Sequence, residues 1–259
     1  MIEFGRLERG FRIVWRWFHE WGSPRYFYAR SGRLLPYLAG LTLLLIPTGI
    51  VWGLLYAPAD YQQGHSYRIM YVHVPAAILA QSSYAMMAAA GMVSLIWRLK
   101  LADAAMQTAA PIGAWVTAIA LITGALWGKP MWGTYWVWDA RLTSTLILLF
   151  LFAGVLALRQ AAGPSQSGGR AAAVLAVVGL INLPIIKFSV DWWFTLHQPA
   201  SFSVTEKPAM PIEMWAPLLA MVIGVYGWFF WVWLLRLRQE IREREVRSEW
   251  IRQRYQNEF

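Results

Sequence analysis

The sequence of 259 residues contains no cysteine and few charged residues. The absence of cysteine excludes disulfide bonds, thiolate metal sites and a cysteine nucleophile. Charged residues make up only 14% of the chain, whereas hydrophobic residues make up 58%. A soluble protein of this length could hardly bury so much apolar surface, so the composition indicates that the chain lies in a lipid bilayer.

Six apolar segments are long enough, or nearly so, to cross the hydrocarbon core, which requires about 20 helical residues. The predicted spans are 34–56, 74–97, 107–127, 142–158, 171–190 and 215–235. The fourth is the shortest, and its start is expected inside the tryptophan-rich segment before it. Asn182, Pro184 and Lys187 predict a kink, or a face turned toward protein, in the fifth. The sequence therefore predicts an all-α integral membrane protein with six transmembrane helices.

Acidic residues are also scarce, with 14 against 23 lysines and arginines. The basic residues concentrate in the segments 1–33 and 236–259 and in the second and fourth connections. The remaining ones are Arg68, Lys129, Arg141, Lys187 and Lys207. The positive-inside rule then places both termini in the cytoplasm and the other connections at the outer, periplasmic face. The net charge of +9 is therefore explained by the orientation of the chain in the membrane, and it gives no reason to expect nucleic-acid binding.

The chain is expected to have three parts. Residues 1–33 form a basic aromatic leader, in which FRIVWRWFHEWG resembles an interfacial helix on anionic lipid; a disordered leader is the alternative. Residues 34–235 form the membrane domain, with the tryptophan-rich segment at 127–143. Residues 236–259 form a cytoplasmic tail, in which Glu240–Arg244 and Glu243–Arg247 predict a solvated helix continuing the last span.

The residues that could bind a metal ion or a cofactor lie mainly in the predicted outer connections. His73 lies at the outer end of the second span, His197 lies in the third outer connection, and the segment WGKPMWGTYWVWDARLT lies between them in sequence. Two histidines can bind zinc, copper or haem iron. The further ligands that zinc requires, and the methionine or cysteine cluster typical of copper, are not visible. Haem needs one or two axial ligands, apolar surface and cations for its propionates, and these connections offer all three.

Simpler interpretations apply to several of these residues. His65 is expected to be a solvated loop histidine, and tryptophans near a membrane boundary are usually interfacial anchors. An anchoring belt, however, requires neither glycines nor the charged pair Asp139 and Arg141, which is costly near hydrocarbon unless it is paired or faces a ligand. On spacing alone, an anchoring belt and a platform for a large aromatic ligand both remain open.

The segment WGTYWVWDARLT at 132–143 resembles the tryptophan-rich WWD signature of the haem-handling proteins of cytochrome c maturation. Within that group the chain is similar to the CcmC family, and RIMYVHVPAA around His73 and TLHQPAS around His197 fit the same family. The resemblance covers essentially the whole chain after the leader. The larger CcmF proteins and the CcsA-type synthases have more spans and fit less well.

This resemblance implies a protein of the bacterial inner membrane that binds haem b at the outer face. CcmC-like proteins deliver haem to the chaperone CcmE and work with CcmD and with the transporter subunits CcmA and CcmB. The family's two external histidines correspond to His73 and His197, which are expected to be axial ligands of the haem iron. The expected platform comprises Trp127, Trp132, Gly133, Tyr135, Trp136, Trp138 and Asp139.

Some expected roles stay open between alternatives. Arg141 or Arg68 is expected to pair with the propionates, while Asp139 could instead hold Arg141. The predicted outer face shows no nucleophile–base arrangement, so a transfer protein is expected rather than an enzyme, although such proteins are sometimes called haem lyases. The alternatives are a haem–cytochrome c synthase of the CcsA type and a haem-free structural subunit of the transporter complex.

Overall fold

The computed structural model describes residues 15, 20–161, 166–197 and 210–256, with the main chain alone at 166–168 and 255–256. Helix α1 (Pro24–Ser31) and the 3-10 turn Gly32–Leu34 lead into α2 (Leu35–Val51), which ends in the π-helical turn Trp52–Tyr56. A 3-10 turn, Ser66–Ile69, precedes the next helix. The other helices are α3 (Met70–Trp97), α4 (Lys100–Trp132), α5 (Ala140–Ala161), α6 (Gln166–Val178), α7 (Asn182–Trp192), α8 (Ile212–Arg244) and α9 (Glu249–Gln256).

Six helical segments are long and apolar enough to cross a membrane, which confirms the prediction of an all-α, multi-pass membrane protein. They are Pro24–Tyr56, Ser66–Trp97, Lys100–Trp132, Ala140–Ala161, Gly169–Trp192 and Ile212–Arg244. Most extend past the predicted spans because hydropathy marks the apolar part alone, while backbone hydrogen bonding continues the helix beyond it. In the fifth span, for which the sequence predicted a kink or a face turned toward protein, the 3-10 turn Gly179–Ile181 interrupts the α-helix between α6 and α7.

Helix α3 lies at the centre of the bundle and packs against α4, α6 and α8, while α2 packs on α8, and α5 packs on α4, α6 and α7. Small residues allow these helices to approach closely, as is usual where lipid removes the hydrophobic drive for association. Gly113 of α4 faces the fully buried ring of Phe152 on α5, and Gly224 of α8 faces Ile46 of α2. Close packing therefore holds the bundle together.

One end of the bundle, called the basic end, carries an ion-pair network. Asp103 at the start of α4 accepts hydrogen bonds from Arg159 of α5 at 2.9 Å and from Arg244 of α8 at 2.6 Å. The guanidinium of Arg244 also bonds Glu240 at 2.6 Å. Two arginines and two carboxylates thus compensate one another where three helices end.

The prediction that the last span continues as a helix with a Glu240–Arg244 pair is confirmed, but the prediction that this helix is solvated is wrong for one face, which packs against the bundle. Leu237 and Ile241 of α8 are buried, and Trp250 of α9 lies against Tyr28 of α1 with ring centres 5.7 Å apart. The predicted pairing of Arg247 with Glu243 at helical spacing is also wrong, since α8 ends before Arg247 in a turn that leads to α9. Most of FRIVWRWFHEWG lies outside the described residues.

The opposite end, called the histidine end, comprises the described parts of 57–73, 127–141 and 189–214. Contacts across the connections bring these segments together. The Tyr71 hydroxyl donates to the Met214 carbonyl at 3.1 Å, and the indole N–H of Trp127 donates to Gln63 at 2.9 Å. This end therefore gathers the three connections that the sequence predicted to share one face.

We expect Gly113→Ala to lower the free energy of unfolding by about 1–3 kcal/mol, the usual cost of overpacking a core. A Cβ at Gly113 would lie 2.3 Å from the Phe152 ring. The control is Gly40→Ala, where no atom lies within 4 Å, so alanine should be neutral or mildly stabilising in α2. Thermal unfolding of the detergent-solubilised protein measures both, and equal midpoints would contradict the described packing.

Candidate functional site

The tryptophan-rich segment 127–143 is divided between the end of one helix, a short connection and the start of the next helix. Helix α4 continues to Trp132, past the predicted end of its span at 127. Gly133 then ends the helix in the left-handed conformation with φ of 77°, and its N–H donates to the Lys129 carbonyl at 3.0 Å. Since Gly133 serves as this helix cap, its conformation alone explains the glycine.

Asp139 joins the start of α5 to the chain that follows α7. Its Oδ1 accepts the backbone N–H of Leu142 at 2.8 Å, as a helix N-cap does, and its Oδ2 accepts the hydroxyl of Thr195. The oxygen of Thr195 in turn accepts the backbone N–H of His197 at 3.1 Å. One carboxylate therefore positions the main chain that carries His197.

Sequence reasoning missed Thr195, although a hydroxyl residue two positions before the histidine is a recognised turn signal.

The two predicted histidines meet at this end of the bundle. His73 lies near the start of α3 and His197 follows α7, and their ring centres are 6.4 Å apart with an angle of 38° between the planes. Both side chains are half-buried. The fold thus unites two residues that the sequence could assign only to the same face.

Hydrogen bonding determines which nitrogen of His73 carries the proton. Its Nδ1 lies 3.0 Å from the Ala120 carbonyl and 3.2 Å from the Thr123 hydroxyl. The carbonyl can only accept, and the Thr123 hydroxyl already donates to the Ile119 carbonyl at 2.7 Å. Nδ1 of His73 is therefore the donor, and Nε2 keeps its lone pair. No hydrogen bond engages this Nε2 within the part of the chain that the structure describes.

Two of the predicted tryptophans flank the histidines. The ring of Trp127 stands edge-on to His73 with centres 5.7 Å apart, and the ring of Trp132 lies 6.3 Å from that of His197. Gln63, which sequence reasoning did not select, holds Trp127 through the indole N–H, and no local sequence signal marks this contact. Each histidine ring of the pair therefore packs against one of these two indoles.

Arg141 reaches His197 directly. Its Nη1 lies 3.2 Å from Nδ1 of His197, while its Nε donates to the Ser189 hydroxyl at 3.0 Å and its Nη2 to the Lys187 carbonyl at 3.2 Å. The carboxylate of Asp139 instead engages Leu142 and Thr195. The alternative in which Asp139 holds Arg141 thus gains no support from these contacts.

Arg68 occupies a different place from Arg141. Its Nη2 donates to the Ala57 carbonyl at 2.9 Å, which fastens the first connection, and its Nε is buried without a hydrogen-bond partner among the described residues. Its contacts are with the connection before α3 rather than with either histidine.

The remaining aromatic residues of the segment present surface outward. Trp138 is 77% exposed and Tyr135 is 55% exposed, whereas Trp136 is half-buried and packs edge-on against Trp138. The indole N–H of Trp136 is buried and has no hydrogen-bond partner in the described parts of the chain. Exposed aromatics that sequence reasoning did not select also lie at the end of α7 and directly after it, and they are Trp192, Trp193 and Phe194.

The sequence of the chain matches a known protein family. The model of the CcmC family, described as heme exporter protein C, matches residues 17–252. Heme exporter protein C of Haemophilus influenzae is 49% identical over 239 residues, which are 92% of this chain and 97% of that protein. The Escherichia coli protein of the same description is 46% identical over 238 residues, covering 92% and 96% of the two chains.

The chain is also similar in sequence to a mitochondrial protein. A cytochrome c biosynthesis ccmC-like mitochondrial protein of Marchantia polymorpha is 46% identical over 180 residues, which are 70% of this chain and 76% of that protein. The range matched by the family model includes both the histidine end and the basic end. The chain therefore belongs to the CcmC family, the heme exporter protein C family.

Proposed function

We propose that this chain binds haem b at the histidine end and delivers it to the haem chaperone CcmE during c-type cytochrome biogenesis. In this proposal it works with CcmD and with the transporter subunits CcmA and CcmB. It handles and transports haem and is not an enzyme, which agrees with the description of its relatives as heme exporters. The observation that carries the proposal is the pairing of His73 with His197 at a ring-centre distance of 6.4 Å.

That distance suits a single metal ion between two imidazoles. Histidine nitrogens bind metals at about 2 Å, so two axial imidazoles on one ion place their ring centres about 6 Å apart. Among the described residues, no group of three or more histidine, cysteine, aspartate or glutamate side chains could hold a metal ion. Haem iron fits a two-histidine site because the macrocycle supplies its other four ligands.

The aromatic residues divide into two sets with different roles. Trp127 and Trp132 each contact one of the histidines, whereas Tyr135 and Trp138 are exposed and can contact the macrocycle or the chaperone. Flat aromatic side chains provide such contact area at low entropic cost. The half-buried Trp136 supports Trp138 from behind.

Arg141 is the better candidate to pair with a propionate. It lies within 3.2 Å of His197, so its guanidinium is already beside a proposed iron ligand. Arg68 fastens the first connection through Ala57. A guanidinium and a carboxylate match in geometry and charge, which favours Arg141 for the anionic edge of the haem.

The distribution of charge supports an outward-facing histidine end. Within the described residues, the basic end carries Arg25, Arg30, Arg33, Arg98, Lys100, Arg236, Arg242, Arg252 and Arg254 among its cations. By the positive-inside rule this end and both termini face the cytoplasm, so the histidines face the periplasm across the bacterial inner membrane.

Membership of the CcmC family separates the chain from the CcsA-type synthases. The remaining alternative is a structural subunit without a haem site. It gives no explanation for the close approach of His73 and His197.

Replacement of either histidine should alter the haem spectrum. In the purified protein loaded with haem, His73→Ala and His197→Ala each remove one proposed axial ligand, so the absorption bands of six-coordinate haem should be lost. His65→Ala is the control, because His65 is exposed in the first connection. Unchanged bands in both site variants would contradict the axial assignment.

Labelling can determine which end faces out, because the natural chain contains no cysteine. A membrane-impermeant maleimide should label Tyr61→Cys in intact spheroplasts and should label Gln253→Cys only after permeabilisation. Tyr61 is 91% exposed at the histidine end, and Gln253 is exposed at the basic end. The reverse pattern would overturn the proposed orientation.

Trp138→Ala should slow haem transfer to CcmE about tenfold without lowering haem occupancy, as expected when an exposed aromatic anchors a partner. Trp115→Ala is the matched control, since Trp115 is 73% exposed but lies within α4, away from the histidine end. Stopped-flow mixing of the haem-loaded protein with the chaperone measures the rate. Full-speed transfer from Trp138→Ala would indicate that this indole is only a membrane anchor.

A further inference from the structure

The two histidines differ in the group that each Nδ1 faces. Nδ1 of His73 faces the Ala120 carbonyl, which can only accept a proton. Nδ1 of His197 faces Nη1 of Arg141 at 3.2 Å, and a guanidinium can only donate. The two imidazoles are therefore held in opposite tautomers.

This difference decides which histidine is ready to bind a metal ion. A metal-binding nitrogen must offer a lone pair, so the neutral imidazole coordinates through the nitrogen that carries no proton. His73 offers Nε2. In His197 the lone pair of Nδ1 is taken by Arg141 and the proton lies on Nε2, so neither nitrogen can coordinate while that hydrogen bond lasts.

The contacts of Arg141 hold this arrangement in place. Its Nε donates to the Ser189 hydroxyl, which itself donates to the Ile186 carbonyl at 2.8 Å, and its Nη2 donates to the Lys187 carbonyl. Both bonds lead to α7, so the guanidinium can exchange its bond to His197 while it stays anchored. The carboxylate of Asp139, the nearest acid in sequence, is engaged by Leu142 and Thr195.

We propose that Arg141 is a latch that keeps His197 from binding iron until a carboxylate of the incoming porphyrin takes over its Nη1. This inference rests on the proposed function. A carboxylate is a stronger acceptor for a guanidinium than a neutral imidazole. When Arg141 turns to it, the proton of His197 moves from Nε2 to Nδ1 through water, and Nε2 becomes a ligand. No proton is gained or lost overall.

The latch imposes an order on loading. His73 binds the iron first, since its Nε2 is already available, and the site becomes six-coordinate only for a porphyrin that carries free acids. Arg141 then acts as a positioning residue that selects acidic porphyrins, and release of the porphyrin carboxylate restores the closed latch.

One test uses the wild-type protein and two porphyrins, iron protoporphyrin IX and its dimethyl ester, which lacks the carboxylates. The free acid should give a six-coordinate spectrum, and the ester should give a five-coordinate spectrum with His73 alone. In Arg141→Met, which removes the donor but keeps the stem, the ester should become six-coordinate. Lys187→Met removes one positive charge near the same end from an exposed side chain, leaves the main-chain carbonyl that holds Arg141, and should behave as wild type. A six-coordinate ester in the wild-type protein would overturn the latch.

A second test needs no haem. Nitrogen-15 spectra of the histidine-labelled, haem-free protein should show a protonated Nε2 for His197, assigned by its loss in His197→Asn, and a protonated Nδ1 for His73. Arg141→Met should shift His197 toward the Nδ1-protonated form. A protonated Nδ1 in wild-type His197 would overturn the latch, whatever haem does. If the tautomers are as inferred but neither histidine variant changes the haem spectrum, the proposed function itself fails.

Discussion

The carboxylate of Asp139 is the interaction on which the histidine end depends. It caps α5, the helix whose first turn carries Arg141, and it also holds Thr195, which holds the main chain of His197. A negative charge at a helix N-terminus is favourable in itself. One side chain therefore positions both a proposed iron ligand and the guanidinium beside it, because each of its two carboxylate oxygens accepts one of these hydrogen bonds.

The bilayer explains why the chemistry lies at the ends of helices. In hydrocarbon every backbone group must be paired within the helix, so connections and polar side chains collect where the chain leaves the lipid. The basic end uses its polar groups for structure, with Asp103 joining Arg159 and Arg244 across three helices. The histidine end leaves the Nε2 of His73 and the exposed ring of Trp138 for other molecules.

A protein that passes haem to a partner has to bind it and then release it. Two preformed ligands would favour retention, whereas one ready histidine and one held by Arg141 make release easier. In the proposed function, the porphyrin carboxylate opens the site on entry, and its departure closes the site again. The exposed rings around Trp138 and Phe194 offer the surface over which a partner could approach.

The sequence by itself determined the six spans, the irregularity of the fifth span and the family resemblance, because hydropathy, proline and a contiguous motif are local properties. It also placed His73 and His197 at one face, since topology follows from counting spans. Only the tertiary structure decided that Asp139 meets Thr195 and that Arg141, rather than Arg68, lies beside His197. It also showed that one face of the expected solvated tail helix packs against the bundle. These contacts join residues far apart in the chain, so they depend on how whole helices pack, and no local pattern of residues encodes that packing.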